Sequence, residues 1–347
     1  MNFNPNDKNF SIWYSKNIKD SKNEKTKQAK ANRCYLCGNN CSSYCNSHSI
    51  PQFILSNLSE IGEYSNYEAF AKFKINKDKT GKNNAGTFHT ICNNCDSLFF
   101  KDYEDPSIYD SLKAPLKQEI LYQIGIKNLL FHINKANEQL SSLYAQHLYF
   151  ESVKDKLLRS TIDIQKLKEQ QKDLMFSACK RLEFYEKTLA YDKWCYEEKY
   201  KAFDVILQEE LNYNVPIAIQ SMIPVSKGLS GEIINDFVNM MHFLHICVFP
   251  LNNKSLILLF CHSSGTEYDI FKKDLQKKQL MEQLEIINYM IFLFSEDYFC
   301  NTNILKRIEE NKNLQTVCQY LSECDLSKPI VKIPNLLSRE YSCPASI

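Results

Sequence analysis

The sequence contains few of the residues that interrupt regular structure, with 8 glycines and 10 prolines among 347 residues. A turn-dense all-β chain needs more of both, so this scarcity argues against such a fold and favours long helices. An excess of charge of one sign is also missing, because the chain has 42 Lys and Arg and 41 Asp and Glu, and its formal net charge is +1. The chain is therefore not a polycation. Its 44% of hydrophobic and 12% of aromatic residues exclude bulk disorder and allow a sizeable core.

Long apolar runs are missing too. No stretch approaches the roughly 18 consecutive apolar residues of a membrane-spanning helix, and the N-terminal sequence MNFNPNDKNF has no apolar signal core. We therefore expect a cytoplasmic protein with no membrane partner. Thiols stay reduced in that compartment, so clustered cysteines favour metal binding and scattered ones favour core packing.

Charge is distributed unevenly along the chain. Residues 1–33 contain eight Lys or Arg and three Asp or Glu, a net charge of +5, whereas residues 34–110 have a net charge of −3. Residues 111–195 and 196–347 have net charges of +4 and −5. The first segment is a basic arm. It is either a nucleic-acid contact, since neutralised phosphates release counterions, or a solubilising terminus.

The middle of the chain predicts long helices. From Ile126 to Val215 there is neither glycine nor proline, which is a helical signal. A second helical run, from about Val153 to Trp194, is rich in Lys, Glu, Gln and Leu. We expect it to fold back on the first as an antiparallel pair. Apolar residues at the spacing of one helix face open the first run: Ile126, Leu129, Leu130 and Ile133.

After Pro216 the pattern becomes strand-like. Residues 217–219, 243–249 and 255–260 are rich in residues that favour strands, and the last two segments flank the turn sequence Pro-Leu-Asn-Asn. This arrangement predicts a β-hairpin. A helix is predicted from about Tyr268 to Phe294, so the C-terminal part is expected to be a mixed α+β domain.

Six of the 14 cysteines lie between positions 34 and 95. Four of them form two CxxC pairs, Cys34 with Cys37 and Cys92 with Cys95, separated by 54 residues. Two such tight turns can direct four thiolates at one tetrahedral Zn²⁺, so we predict a structural zinc site. Cys41 and Cys45 leave two alternatives open, because they could join a second site or replace a ligand.

The strings SHSIPQFIL, which begins at Ser47, and ICNNCDSLFFKDYE, which begins at Ile91, lie around these pairs. A CxxC turn, a strand ending in His before Ile-Pro, and a second CxxC that opens a helix resemble the zinc-bearing HNH endonuclease family. The two strings are similar to a subgroup of bacterial HNH-like proteins, and the resemblance covers roughly residues 30–110. It implies a ββα-metal, treble-clef domain. At the level of the family it also implies a role in phage defence or in a mobile element.

In HNH enzymes a histidine at the end of a strand is the general base that activates the attacking water, and a divalent cation polarises the phosphate. The resemblance assigns the base to His48. It assigns Asp96, directly after the second CxxC pair, as a ligand of Mg²⁺ or Mn²⁺, since a carboxylate is a hard oxygen donor. The implied partner is DNA.

The chain departs from the family pattern at two positions. Ser47 stands where active nucleases often carry a metal-binding Asp, Glu or His. The central Asn of the family has Asn84 as its predicted equivalent, with Asn83 and His89 as other candidates. These departures keep a second hypothesis open, in which a catalytically degenerate zinc module binds nucleic acid or protein.

The predicted fold class is therefore α+β with four segments. A basic arm over residues 1–33 precedes an HNH-like zinc domain over residues 34–110, a small ββα-metal (treble-clef) unit. A long helical hairpin follows over residues 111–200. The mixed α+β C-terminal domain over residues 201–347 has no assigned role and is a candidate surface for a protein partner.

Overall fold

A computed structural model describes the protein. The residues it describes are 33–41, 44–58, 63–66, 78–81, 85–112, 114–157, 164–236, 242–263, 266–294, 298–301, 304, 311, 313, 325–328 and 332–342. The predicted basic arm, apart from Arg33, lies outside this part of the chain. So does Asn84.

The described residues form a mixed α+β fold, as predicted. Its helices are α1 (Gln52–Ser56), α2 (Asn93–Phe99), α3 (Gln118–Leu157), α4 (Ile164–Glu197), α5 (Asp269–Gln276) and α6 (Leu280–Phe294). Its strands are β1 (Ser47–His48), β2 (Glu63–Asn66), β3 (Asp78–Gly81), β4 (Thr87–Phe88), β5 (Phe203–Leu211), β6 (Ile217–Pro224), β7 (Phe243–Pro250), β8 (Ser255–His262) and β9 (Tyr298–Cys300).

The chain divides into two compact units. The first comprises Met1–Asn46, Phe88–Asp96 and Leu129–Lys193. The second comprises Ser47–Thr87, Ser97–Asn128 and Trp194–Ile347. Helices α2, α3 and α4 each contribute residues to both units.

The helix pair of the first unit is antiparallel. Gln171 Nε2 of α4 donates to the carbonyl of Leu143 in α3 at 3.0 Å, and the rings of His132 and Tyr185 lie 5.8 Å apart between centroids. A later position on α3 therefore meets an earlier position on α4, which confirms the predicted pairing. The boundaries differ from the prediction, since α3 continues to Leu157, past the expected start of the second run.

The end of α4 lies close to the predicted end at about Trp194, although the Gly- and Pro-free segment continues to Val215. Helix α4 ends at Glu197, and strand β5 begins at Phe203. Lys199 adopts the left-handed conformation with φ 57, and the N–H of Tyr200 donates to the carbonyl of Cys195 at 3.0 Å. This is the hydrogen bond of a helix-terminating turn that normally uses glycine. A lysine in that place gave the sequence no stop signal.

The second unit contains a seven-stranded sheet in the order β3-β2-β9-β6-β7-β8-β5. Its strand pairs are antiparallel. The pairing of Leu244 with Cys261 and of Pro250 with Ser255 confirms the predicted hairpin of β7 and β8. Strand β5, which was not predicted, pairs with β8 at one edge.

Both faces of the sheet are buried at its central strands. One face forms a core with α5 and α6, in which Ile246 and Leu259 meet Phe271 and Ile287. On the other face the ring of His245 stacks on that of Phe260 at 4.5 Å between centroids. Every position of β7 is buried as a result. A strand covered on both sides has a continuous apolar run in place of alternation, which is the pattern that the sequence shows over residues 243–249.

The first turns of α3 reach the second face of the sheet within the same unit. Gln118 exchanges side-chain hydrogen bonds with the backbone of Phe203 at 2.7 and 3.1 Å. Asn128 donates to the carbonyl of Ser221 at 3.2 Å, and its Nδ2 lies 3.1 Å from Nδ1 of His245. Polar groups buried in this way must be paired, so these contacts fix the helix to β5, β6 and β7.

The single helix predicted from Tyr268 to Phe294 is divided into α5 and α6. The carboxylate of Glu282 accepts the N–H of Gln279 at 3.0 Å, which caps the start of α6. Gln283 Nε2 donates to the carbonyls of Leu275 and Lys278 at 3.0 and 3.2 Å, which caps the end of α5. These side chains replace the helical hydrogen bonds that are lost at the break.

Two leucines of α6 test this core. Leu284 is 0% exposed and Leu280 is 41% exposed. We expect Leu284→Ala to lower the free energy of unfolding by about 3 kcal/mol, because it leaves a cavity between α6 and the sheet. Leu280→Ala, the matched control one turn away, should cost less than about 1 kcal/mol. Urea denaturation of both variants measures the difference, and equal losses would contradict the packing described.

Candidate metal centre

The first CxxC pair lies in a tight turn of the first unit. The N–H of Gly38 donates to the carbonyl of Cys34 at 2.8 Å, and the N–H of Cys34 donates to the carbonyl of Asn39 at 3.0 Å. Gly38 has φ +73, and nothing lies within 4 Å of the position where a Cβ would stand. Backbone conformation, and not space, therefore favours glycine here. The turn brings the Sγ atoms of Cys34 and Cys37 close together.

The second pair opens helix α2. The N–H of Asp96 donates to the carbonyl of Cys92 at 3.0 Å, which begins the helical turn. The N–H of Cys95 lies 3.5 Å from Cys92 Sγ, and the N–H of Cys92 lies 3.4 Å from Cys34 Sγ. Backbone N–H groups directed at sulfur favour its thiolate form. The contact between the N–H of Cys92 and Cys34 Sγ joins the two pairs directly.

The Sγ atoms of Cys34, Cys37, Cys92 and Cys95 all lie within 4.8 Å of one another. Four sulfurs at Zn–S distances of about 2.3 Å in a tetrahedron would be about 3.8 Å apart, so the cluster suits a metal ion with little adjustment. Cys34 is 1% exposed, and Cys37 is exposed. The two pairs predicted from the sequence therefore come together as one set of four ligand atoms that could hold a structural metal ion.

The thiols of this cluster differ in acidity. Burial raises the pKa of Cys34, but hydrogen bonds from the backbone of Cys37, Cys92 and Leu36 outweigh it and lower that pKa to about 7. Burial raises the pKa of Cys95, and its hydrogen bonds to the other three sulfurs raise it further, since they hold its proton. A metal ion that binds here must displace that proton, so its affinity falls as the pH falls.

The other two cysteines of this region are not among the four. The thiol of Cys45 donates to Oδ2 of Asp96 at 3.1 Å, and the thiol of Cys41 lies 3.5 Å from the carbonyl of Asn39. The N–H of Cys45 also donates to the carbonyl of Ile91 at 3.0 Å. Cys45 therefore contacts both sides of the second pair, Ile91 before it through its backbone and Asp96 after it through its thiol.

The predicted catalytic residues are distributed over both units. His48 is half-buried on β1 in the second unit, directly after the buried Ser47. Asp96 is half-buried in the first turn of α2, in the first unit. Asn84, predicted as the central Asn, lies outside the described residues. His89, one of its alternatives, donates its backbone N–H to Oδ1 of Asn134 at 3.3 Å.

Contacts from the helix pair to the first CxxC turn were not predicted. The hydroxyl of Tyr35 donates to Glu186 Oε1 at 3.0 Å and accepts from Nδ2 of Asn137 at 3.4 Å. Lys193 Nζ donates to the carbonyls of Leu36 and Tyr35 at 2.5 and 3.5 Å. Tyr35 and Leu36 lie inside a CxxC motif, but no pattern in the sequence indicated that they contact the helices. Nothing in the sequence distinguished Lys193 from the other lysines of α4.

Comparison with known protein families, with curated proteins and with solved structures found no match to this chain. Among the described residues, no helix combines the length and the apolar character needed to cross a bilayer.

The ligand set can be tested by metal analysis of purified variants. We expect the wild-type chain to hold one zinc ion, and Cys34→Ser or Cys95→Ser to reduce the bound metal below about half an equivalent, because three thiolates hold structural zinc poorly. Cys41→Ser, the matched control from the same loop, should keep the full equivalent. Metal lost from the control and retained in Cys95→Ser would show that the ligand set is wrong.

Proposed function

We propose that this chain is a metal-dependent endonuclease of the HNH type that hydrolyses DNA phosphodiesters. The observation that carries the proposal is the cluster of four cysteines, whose second pair opens α2 directly after β4. Strand β1, which ends at His48, pairs with β4. This chain order of two strands and a helix around a zinc site supports a treble-clef arrangement.

The metal in the four-cysteine cluster would be Zn²⁺ in a structural role. Four thiolates complete a tetrahedral coordination and leave no position for a substrate or a water molecule. The chemistry therefore belongs to other groups. A second divalent cation, Mg²⁺ or Mn²⁺, would polarise the phosphate and stabilise the leaving oxygen.

His48 would accept the proton of the attacking water. It is half-buried at the end of β1. A neutral imidazole titrates near neutral pH and suits this role. Asp96 would hold the catalytic cation, because a half-buried carboxylate is a hard oxygen ligand.

A second candidate function is a non-catalytic zinc module that binds nucleic acid or protein. It is favoured by the contact of Asp96 with the thiol of Cys45, which occupies one carboxylate oxygen. The buried Ser47 supplies a hydroxyl where a carboxylate or an imidazole would bind a cation more strongly. In this case the zinc cluster would support a binding surface, and the second unit would bind the partner.

A plasmid-nicking assay with Mg²⁺ or Mn²⁺ separates the two functions. We expect the zinc-loaded wild-type chain to cleave DNA, and His48→Ala to reduce the rate by at least about 100-fold, since a general base contributes that much. Asp96→Asn should also reduce the rate and raise the concentration of Mg²⁺ required. His147→Ala, the matched histidine control on α3, should cleave like the wild type.

Two results would contradict the proposal. Folded, zinc-loaded protein that does not cleave DNA with either cation would exclude the nuclease and leave the binding module, which a mobility shift without cleavage would support. Cleavage that survives His48→Ala would keep the nuclease and exclude His48 as its base.

A further inference from the structure

We propose that metal binding at the four-cysteine cluster stabilises the α3–α4 helix pair of the first unit. Tyr35, Lys193 and Asn134 make the contacts between the cysteine-containing segments and the helices. Occupancy of the metal site would then control the order of the helix pair. This inference rests on the proposed metal centre and is independent of nuclease activity.

Tyr35 joins the first CxxC turn to both helices. It lies between the ligands Cys34 and Cys37, and its hydroxyl contacts Glu186 of α4 and Asn137 of α3. One side chain within the metal-binding turn therefore meets both members of the pair.

Lys193 brings a positive charge to the same turn. Its half-buried ammonium donates to the carbonyls of Leu36 and Tyr35, the two residues between the cysteines. A divalent ion with four thiolates has a net charge of −2, and a nearby ammonium group favours that charge. Metal binding should therefore strengthen this contact with α4, and loss of the metal should weaken it.

Asn134 makes the equivalent contact for the second pair. Its side chain is buried on α3, where Oδ1 accepts the N–H of His89 and Nδ2 donates to Glu138 at 2.9 Å. The rings of Phe88 and Phe131 lie 5.8 Å apart beside it. The segment that leads into Cys92 is therefore held by the same helix that contacts the first turn.

The direction of the effect follows from linkage. The N–H of Tyr35 donates to the carbonyl of Thr90 at 3.1 Å, so the first turn already meets the segment that leads to the second pair. A metal ion bound to the four sulfurs would fix the two turns to each other. A metal ion that fixes both turns also fixes the groups through which these segments form hydrogen bonds with the helices. Coupling between two sites is reciprocal, so the helix contacts must raise the metal affinity by the same factor by which metal stabilises the helices.

Hydrogen exchange of the full chain, with and without zinc, tests the coupling. We expect removal of zinc by a chelator to speed exchange by at least about tenfold in residues 129–157 and 164–193, because the helices lose contacts that opposed their opening. Amides of β6, β7 and β8 in the second unit should keep their protection. Addition of zinc to the apo protein should restore the protection of the helix amides.

Variants test the named contacts, with the rate of zinc transfer to a chelator as the readout. Tyr35→Phe and Lys193→Met should each release zinc about tenfold faster, the size of effect expected for residues that support metal ligands. Lys193→Arg, which keeps the donors and the charge, should restore slow release. Lys187→Met and Tyr213→Phe are the matched controls, since Lys187 pairs with Glu183 on the exposed face of α4 and Tyr213 donates to the carbonyl of Leu337 in the second unit.

Each outcome decides the question. Helix protection that is equal in the zinc-bound and zinc-free protein, or lost together with that of the sheet, overturns the proposed coupling. Variants that release zinc at the wild-type rate overturn the role of these contacts. A chain that binds no zinc overturns the metal centre itself, whereas coupling without DNA cleavage would leave this inference standing and exclude the nuclease.

Discussion

The convergence of four cysteine sulfurs within 4.8 Å of one another constrains the two turns of the first unit that contain them. Thiolates at this spacing repel one another, and protons or a cation must offset that repulsion. The hydrogen bonds around Cys34 and Cys95 show both tendencies, because the first thiol is made more acidic and the second retains its proton. A divalent cation bound here would satisfy all four sulfurs at once and would join two turns that are far apart in the chain.

The second unit has a different source of stability. Its sheet is covered on one face by α5 and α6 and on the other by the first turns of α3, so the central strands are buried on both sides. Several of the polar groups inside it are paired. Lys127, for example, is wholly buried and forms an ion pair with Glu104 at 2.9 Å, with its Nζ 4.0 Å from the centroid of the Phe100 ring. An unpaired charge there would cost several kcal/mol.

The metal cluster and the proposed chemistry make different demands on the same segment. A structural zinc site needs closed, fully coordinated sulfur, whereas hydrolysis of a phosphodiester needs an accessible base and oxygen ligands with a free position. Asp96 is the residue to which both requirements apply. It follows the last cysteine ligand directly, and its carboxylate already accepts a hydrogen bond from Cys45. How strongly that thiol competes with a cation would set the balance between a catalytic and a purely structural role.

The sequence by itself predicted the two cysteine pairs and the hairpin of β7 and β8, because each pair and the hairpin consist of residues close together in the chain. It predicted the end of α4 to within a few residues, although Lys199 there takes a conformation usually given to glycine. It did not reveal the break between α5 and α6, where side chains cap both helix ends. Only the tertiary structure decided which helix side chains meet the metal turn. Tyr35 and Glu186 are 151 residues apart and Leu36 and Lys193 are 157 apart, and contacts over such separations depend on packing that no local pattern encodes.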